Sequence, residues 1–263
     1  MANILIIGAS CPASNQIADF LKLNNKVYGI SRDSSIQNGS FIKIFNYEET
    51  LKKYNFDTII IAASRTPKDS GGLNDFLKDN LAICYFAKKI SSINTRIIFF
   101  SSFSVYSQDQ SLIEKDARLT NSDIYGVSKL LCEKYIQDNF HNYLLLRIPV
   151  FLYKNANSNF MAKLKYSIKR NEIFEFSNID SKVNAFFSIY DFISIFKQNY
   201  IGLVNCHTSS DWTVRDLADY AVSLGLKSYR IVNSCKPPQI VPEINSPFIF
   251  SKTSIALKRF LNE

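Results

Sequence analysis

Short apolar runs alternate with longer segments of helical periodicity through the first half of the chain. The apolar runs are rich in β-branched residues and have lengths typical of buried strands; they cover residues 3–7, 26–30, 41–45, 58–62, 96–101 and 143–148. Segments with helical spacing cover residues 13–23, 73–91 and 124–139. This βαβ series predicts an α/β fold with a doubly wound parallel sheet, whose ligands bind beyond the carboxyl ends of the strands.

The pattern becomes irregular after residue 150. An aromatic-rich stretch contains Phe174, Phe176, Phe186 and Phe187, and a helix is predicted over residues 214–224. We expect these aromatic side chains to form core, because large aromatic residues are more often buried than in contact with a ligand. The sequence therefore predicts one domain over residues 1–150, to which some later segments return, and a smaller domain over residues 151–263.

Composition excludes several classes of protein. With 263 residues, 46% of them hydrophobic and 21% charged, the chain can bury a substantial core. The net charge of +8 comes from lysines and arginines spread along the chain, which predicts a solvated basic surface and no nucleic-acid partner. Five scattered cysteines without a Cys-x-x-Cys pair, and two histidines, predict neither a disulfide framework nor a metal site.

No apolar run approaches the roughly 20 residues that a membrane-spanning helix needs, so we expect no membrane partner. Met1 is followed directly by the first strand-like run, so we expect no secretory signal. A cytoplasmic location is expected.

The turn after the first strand lies where a dinucleotide-binding fold has its glycine-rich phosphate loop. Of three glycines at that spacing only Gly8 is present, and Cys11 and Ser14 occupy the other two positions. Pro12 suits the first turn of a helix but lacks an N–H that could bind a diphosphate. By itself the segment is equally compatible with a cofactor loop and with a plain strand-to-helix turn.

Tyr125 and Lys129 lie four residues apart on a predicted helix and so share one face. A nearby ammonium stabilises a phenolate, so Tyr125 is a candidate general acid or base. A tyrosine packed under a solvated lysine has the same spacing, and the pair alone decides nothing.

Ser102 strengthens that hypothesis, because it follows the predicted strand 96–101 at its carboxyl end. A doubly wound sheet presents catalytic groups at this edge, and a hydroxyl there can donate a hydrogen bond to a carbonyl oxygen that becomes an alkoxide. Ser101 and Ser104 are better explained by turn formation.

Several motifs in order resemble the extended short-chain dehydrogenase/reductase family, in its epimerase, dehydratase and 4-ketoreductase branch acting on nucleotide-linked sugars. The motifs are specific in combination and span nearly the whole chain: Asp57 to Ala63, Asn80, Ser101 to Tyr106, Tyr125 to Lys129, Leu146-Arg147 and Phe187 to Asp191. The resemblance implies a Rossmann-like fold with a small C-terminal substrate-binding domain. It also implies that Ser102 orients the sugar carbonyl, that Tyr125 exchanges a proton, and that Lys129 holds the nicotinamide ribose.

The resemblance assigns further contacts. The cofactor would contact Gly8, Cys11, Ser14, Ser31, Arg32, Asn46, Ala62, Ala63, Tyr125, Lys129 and Pro149. The nucleotide-sugar substrate would contact Ser64, Arg65, Ser102, Phe103, Ser104 and Tyr125. Family members pair two long helices into a four-helix bundle, so a homodimer through helices 73–91 and 124–139 is expected.

The end of the second strand bears on the choice of cofactor. Ser31-Arg32 places no carboxylate where NAD enzymes bind the ribose 2′-hydroxyl, and a guanidinium suits a 2′-phosphate. NADP(H) is therefore favoured, and NAD(H) stays possible.

The reaction type follows from what the motifs lack. Phe103-Ser104 stand where 4,6-dehydratases carry an Asp-Glu pair, which disfavours dehydration. The segment after Arg147 lacks the Asn and Gly typical of many epimerases. We therefore expect NADPH-dependent reduction of a 4-keto group on a nucleotide-linked deoxysugar. Two alternatives stay open: an NAD-dependent epimerase, and a non-catalytic dinucleotide-binding sensor or interaction protein suggested by the eroded glycine loop.

Overall fold

A computed structural model describes residues 1–31, 41–43, 54–66, 69–106, 123–156, 159–233 and 247–263. The strands are β1 (Asn3–Ile7), β2 (Lys26–Ile30), β3 (Ile42–Lys43), β4 (Thr58–Ile61), β5 (Arg96–Ser102), β6 (Tyr143–Ile148), β7 (Val150–Leu152), β8 (Ile173–Phe176), β9 (Lys182–Val183), β10 (Phe186–Ser188), β11 (Gly202–Asn205), β12 (Trp212–Thr213) and β13 (Ser228–Ile231). The α-helices are α1 (Pro12–Leu21), α2 (Leu73–Ile90), α3 (Ile124–Asn139), α4 (Phe160–Lys169), α5 (Ile189–Phe196), α6 (Val214–Ser223) and α7 (Thr253–Asn262). A short 3-10 helix spans Phe103–Val105.

The apolar pattern predicts the elements of the first half closely. β1, β2, β6 and α3 begin and end at the predicted residues. α2, β4 and β5 each differ by one residue at one end, and α1 begins one residue and ends two residues earlier than predicted. β3 covers two residues of the predicted 41–45, of which 44 and 45 lie outside the described residues.

A seven-stranded sheet has the order β11-β6-β5-β4-β1-β2-β3. β1 pairs in parallel with both β2 and β4, and β4 pairs in parallel with β5. The chain therefore starts in the middle of the sheet and builds outward first on one side and then on the other. This confirms the doubly wound α/β fold, and its topological switch point lies between β1 and β4, where such sheets bind ligands.

Helices α2 and α3 pack against each other and cover the sheet. Each helix directs small and apolar side chains toward the strands. Cys84 on α2 and Cys132 and Ile136 on α3 are fully buried against strand residues such as Ile59 and Ile97. The central strands are apolar on both faces, as a sheet covered on both sides requires.

The chain divides into two compact units. Among the described residues, the first unit lies within Met1–Ser107, Leu119–Arg147 and Phe196–Val204, and the second within Ile148–Ile195 and Asn205–Glu263. The second unit contains the strand pairs β7–β10, β8–β13 and β9–β12. Its core confirms the expectation for Phe176, Phe186 and Phe187, which are at most 7% exposed, and Phe174 packs against the same core.

Across the described parts of the chain, every helix is too short or too polar to cross a lipid bilayer.

Candidate active site

Gly8 brings the ends of two central strands together. Its φ of +104° is one that L side chains rarely adopt, and a Cβ there would lie 2.6 Å from the Ala63 nitrogen. The amides of Ala62 and Ala63 both donate to the Ile7 carbonyl, at 3.0 and 2.9 Å, which fixes this close approach. The amide of Gly8 donates to the Ile30 carbonyl at 2.9 Å. The ends of β1, β2 and β4 therefore meet at the switch point of the sheet.

Helix α1 begins immediately after this turn. Its N-cap residue, Cys11, is extended and makes no side-chain capping hydrogen bond, and Pro12 occupies the first turn. Ser14 is fully buried, and its Oγ has no hydrogen-bond partner in the described chain. It stands where the third glycine of a phosphate loop lets helix and strand pack closely. At the end of β2, the Ser31 hydroxyl donates to the Ser10 hydroxyl at 2.8 Å.

Ser102 ends β5 and caps the short 3-10 helix that follows. The Ser104 amide donates to the Ser102 Oγ at 3.1 Å, and the Ser102 side chain is half-buried. Phe103 is buried and Ser104 is half-buried. The Ser102 hydroxyl thus stands at the carboxyl end of a central strand with its oxygen fixed by one backbone amide.

Tyr125 and Lys129 lie on the first turns of α3, next to this strand end. Asp123 caps the helix by accepting the Tyr125 amide at 2.9 Å. Lys129 is 2% exposed, and its Nζ donates to the Phe100 carbonyl at 2.7 Å. The same Nζ lies 4.7 Å from the Phe99 ring centroid and 5.7 Å from the Tyr125 ring centroid. Lys129 therefore joins the tyrosine's helix to the strand that carries Ser102.

Asn80 on α2 makes two side-chain hydrogen bonds that link α2 to the chain after β4 and to α3. Its Oδ1 accepts the Arg65 amide at 2.7 Å, and its Nδ2 donates to the Ser128 Oγ at 2.9 Å. Ser128 in turn donates to the Tyr125 carbonyl at 2.8 Å. The asparagine and serine of the family motifs thus hold the chain after β4 against the first turn of α3.

The Arg65 side chain makes an ion pair, a hydrogen bond and a ring contact with residues of the first unit. Its Nε lies 3.1 Å from the Asp79 carboxylate, its Nη1 donates to the Ser70 carbonyl, and its guanidinium stacks 5.4 Å from the Phe76 ring centroid. Ser64, its neighbour, is half-buried.

The structure describes most of the predicted site residues. Gly8, Cys11, Ser14, Ser31, Ala62 and Ala63 surround the switch point, and Ser102, Tyr125 and Lys129 lie at the end of β5 and on α3, all in the first unit. Pro149, between β6 and β7, belongs to the second unit. Arg32 and Asn46 lie outside the described residues.

The sequence pattern did not single out a buried polar network behind Ser102. Glu133 on α3 accepts two hydrogen bonds from Arg147 on β6, with Nε–Oε1 at 3.0 Å and Nη2–Oε2 at 2.7 Å. Burial alone would lower the pKa of the Arg147 guanidinium. The hydrogen bond to Glu133 and the charge of that carboxylate raise the pKa by more than burial lowers it, so the pKa of Arg147 is above its ordinary value. Two features of the sequence could have indicated this ion pair: Glu133 lies four residues after Lys129 on the predicted helix, and Arg147 lies near the end of an otherwise apolar strand.

Two of the cysteines, Cys84 and Cys206, are fully buried. The hydrogen bond to Cys132 and burial raise the pKa of the Cys84 thiol, and burial raises that of Cys206, so both stay protonated. Within the described residues no group of three or more His, Cys, Asp or Glu side chains could hold a metal ion.

A doubly wound sheet with a serine at the end of β5, and a Tyr-x-x-x-Lys pair joined to that strand by its lysine, defines an enzyme of the extended short-chain dehydrogenase/reductase type. The family described as the RmlD substrate binding domain matches residues 2–177, and the chain belongs to this family. The resemblance inferred from the motifs is confirmed, and the chain is an enzyme of the nucleotide-sugar epimerase and reductase group.

Solved structures share the whole fold. The ADP-L-glycero-D-manno-heptose-6-epimerase from Helicobacter pylori aligns with a TM-score of 0.79 at 16% identity, over 99% of this chain and 95% of that one. The UDP-glucuronic acid 4-epimerase from Bacillus cereus, in complex with NAD, gives 0.73 at 19% identity over 99% and 96%. The dTDP-4-dehydrorhamnose reductase from Clostridium acetobutylicum gives 0.71 at 18% identity over 99% and 98%. No curated protein sequence matches the chain.

Proposed function

We propose that this enzyme reduces a 4-keto group on a nucleotide-linked deoxysugar with NADPH. The observation that carries the proposal is the hydrogen bond from Lys129 to the Phe100 carbonyl, because it holds the helix of Tyr125 against the strand that ends in Ser102. The proposal assigns Ser102, Tyr125 and Lys129 to one ketone-reducing site.

Each residue has a separate task in this reaction. The Ser102 hydroxyl donates a hydrogen bond to the carbonyl oxygen and stabilises the negative charge that develops there. Tyr125 then transfers its phenolic proton to that oxygen, which yields the alcohol. The buried Lys129 ammonium lies near the Tyr125 ring and would bind the ribose of the dinucleotide. A bound nicotinamide dinucleotide supplies the hydride.

The residues at the switch point fit a dinucleotide. Gly8 allows close packing of the strand ends, and the N-terminus of α1 is not capped by a side chain. Pro12 has no N–H, so the amides of Ala13 and Ser14 are the donors of the first turn that would bind a diphosphate. We propose the further contacts of Cys11, Ala62, Ala63 and Pro149 on the family resemblance.

NADP(H) is favoured over NAD(H) because the residue after β2 is Ser31 and not a carboxylate. The Ser31 hydroxyl donates to the Ser10 hydroxyl. Arg32 would pair with the 2′-phosphate, and Asn46 would contact the adenine.

The substrate would contact Ser64, Phe103 and Ser104 beside the catalytic trio. Because Arg65 already binds Asp79 and Ser70, its proposed contact with the substrate diphosphate requires an exchange of partners. We also propose that residues 151–263 form the smaller, substrate-binding domain that the sequence predicts.

An NAD-dependent epimerase is the second candidate. Two of the similar proteins with solved structures are named epimerases, one of them in complex with NAD. An epimerase would interconvert two sugars without net consumption of the dinucleotide, whereas a reductase consumes one dinucleotide for each product.

A homodimer through α2 and α3 belongs to the same proposal. Tyr85 on α2 and Leu131 on α3 are 54% and 43% exposed, and the Tyr85 ring contacts Tyr135 edge-on at 4.7 Å. Pairing of two such helix pairs would cover this apolar surface; the mass of the protein in solution tests it. We also place the enzyme in the cytoplasm.

The proposed function is tested by NADPH oxidation with a panel of 4-keto nucleotide sugars. Tyr125→Phe should lower kcat by about 100-fold or more, because general acid catalysis contributes about 10² to 10⁴. Tyr135→Phe, on the same helix, is the matched control and should stay close to wild type. A wild-type enzyme that oxidises NADPH with no member of the panel would exclude the reductase, and equal activity of Tyr125→Phe would exclude this tyrosine as the proton donor.

A further inference from the structure

A buried ion pair lies directly behind the loop that carries Ser102. Glu133 and Arg147 are 3% and 5% exposed, and the guanidinium binds both carboxylate oxygens. A buried ion pair of this kind adds little net stability, because the cost of removing two charges from water offsets their attraction. Its presence next to a catalytic segment calls for another explanation.

The pair reaches both ends of the Ser102 segment. The Ser101 hydroxyl donates to Glu133 Oε1, one residue before Ser102. Arg147 Nη1 donates to the Tyr106 hydroxyl at 2.9 Å, immediately after the 3-10 helix Phe103–Val105. Both Ser101 and Tyr106 are buried, at 4% and 1% exposure. One ion pair therefore fixes the residue on each side of the loop in which the Ser102 oxygen accepts the Ser104 amide.

Helix α3 holds this strand by two successive turns. Lys129 donates to the Phe100 carbonyl, and Glu133, four residues later on the same face, accepts the Ser101 hydroxyl. Neighbouring residues of β5 are thus bound by neighbouring turns of the helix that carries Tyr125. A shift of Glu133 would move Ser102 relative to Tyr125 without touching either side chain.

We propose that Glu133 and Arg147 are positioning residues, which set the distance between the Ser102 hydroxyl and the Tyr125 hydroxyl through Ser101 and Tyr106. The expected effect on kcat rests on the proposed function. The expected effect on the order of residues 102–105 rests only on the geometry of this segment. A hydroxyl displaced by less than an ångström stabilises a developing alkoxide poorly, so the effect falls on the chemical step rather than on binding of the dinucleotide.

The test changes the two uncharged residues that bind the ion pair, Ser101 and Tyr106. Glu133→Gln is avoided because it would leave the buried charge of Arg147 uncompensated and could unfold the chain. Ser101→Ala and Tyr106→Phe each remove one hydroxyl and keep the ion pair. Thr95→Val is the matched control: Thr95 precedes the same strand at its other end, is 2% exposed, and donates to the Phe56 carbonyl at 2.9 Å.

Two measurements are made on each folded variant. We expect Ser101→Ala and Tyr106→Phe to lower kcat by about tenfold, with the KM for NADPH changed less than about twofold, and Thr95→Val to change neither. Amide hydrogen exchange should rise about fivefold within residues 102–105 in both network variants and not in the control.

The outcomes separate this inference from the proposed function. If the wild type reduces a keto sugar nucleotide and the network variants match Thr95→Val in kcat, the positioning role is wrong and the reductase stands. If the wild type reduces none, the reductase is wrong and the exchange rates alone decide: faster exchange in residues 102–105 supports the positioning role, and unchanged exchange overturns it.

Discussion

Replacing Gly8 by alanine should destabilise the first unit strongly. A Cβ at this position would lie 2.6 Å from the Ala63 nitrogen and 2.9 Å from its Cα. Neither atom can move freely, because the amides of Ala62 and Ala63 both donate to the Ile7 carbonyl. A non-glycine residue at a φ of +104° costs about 1 to 3 kcal/mol, and overpacking against fixed atoms costs another 1 to 3 kcal/mol, roughly.

We therefore expect the free energy of unfolding to fall by about 4 kcal/mol, the middle of the summed range. For a chain of this size that corresponds to a melting temperature lower by roughly 8 to 16 °C. Thermal unfolding followed by circular dichroism measures it. Gly72→Ala is the matched control, since its φ is −87° and a Cβ there would meet nothing within 4 Å.

The control should stay within about 1 kcal/mol of wild type. A Gly8→Ala protein as stable as Gly72→Ala would refute the close approach of the strand ends at the switch point.

Three further substitutions test other parts of the account. Phe187→Ala should lower the free energy of unfolding in urea by about 3 to 5 kcal/mol, because this ring is fully buried, whereas Ile249→Ala, at a residue 98% exposed, should change it by less than about 0.5 kcal/mol. Hydrogen bonds from the amide and hydroxyl of Thr213 lower the pKa of Asp216. Its stabilisation is thus present above the ordinary carboxyl pKa and is lost as the pH falls through the lowered one. Asp216→Asn should cost less than about 1 kcal/mol at pH 7 in the same urea titration, since the carboxylate is exposed, and the difference from wild type should shrink as the pH falls through the lowered pKa. Arg32→Ala should raise the KM for NADPH about tenfold and leave that for NADH nearly unchanged, and equal changes would contradict a 2′-phosphate contact.

Local patterns predicted most of the first unit, because buried parallel strands and amphipathic helices carry their own periodicity. The limits of β1, β2, β6 and α3 follow directly from it. The short strands of the second unit do not, since β7 pairs with β10 and β8 with β13 across long stretches of chain. Such pairings depend on tertiary contacts rather than on local sequence.

The candidate site divides in the same way. Ser102, Tyr125 and Lys129 carry motifs that identify them in sequence. The link from Lys129 to the Phe100 carbonyl and the network around Glu133 involve side chains whose partners lie on other elements, and no spacing rule specifies those partners.

The central claim is that the enzyme performs a net reduction, and transfer of deuterium from labelled NADPH tests it most directly. The wild-type enzyme is incubated with a 4-keto nucleotide sugar and NADPH in which both hydrogens on the reactive carbon of the nicotinamide are replaced by deuterium. We expect a product alcohol that carries one deuterium on carbon, formed in equal amount to the NADP⁺. Interconversion of sugars without net NADPH oxidation, or a product free of deuterium, would contradict it.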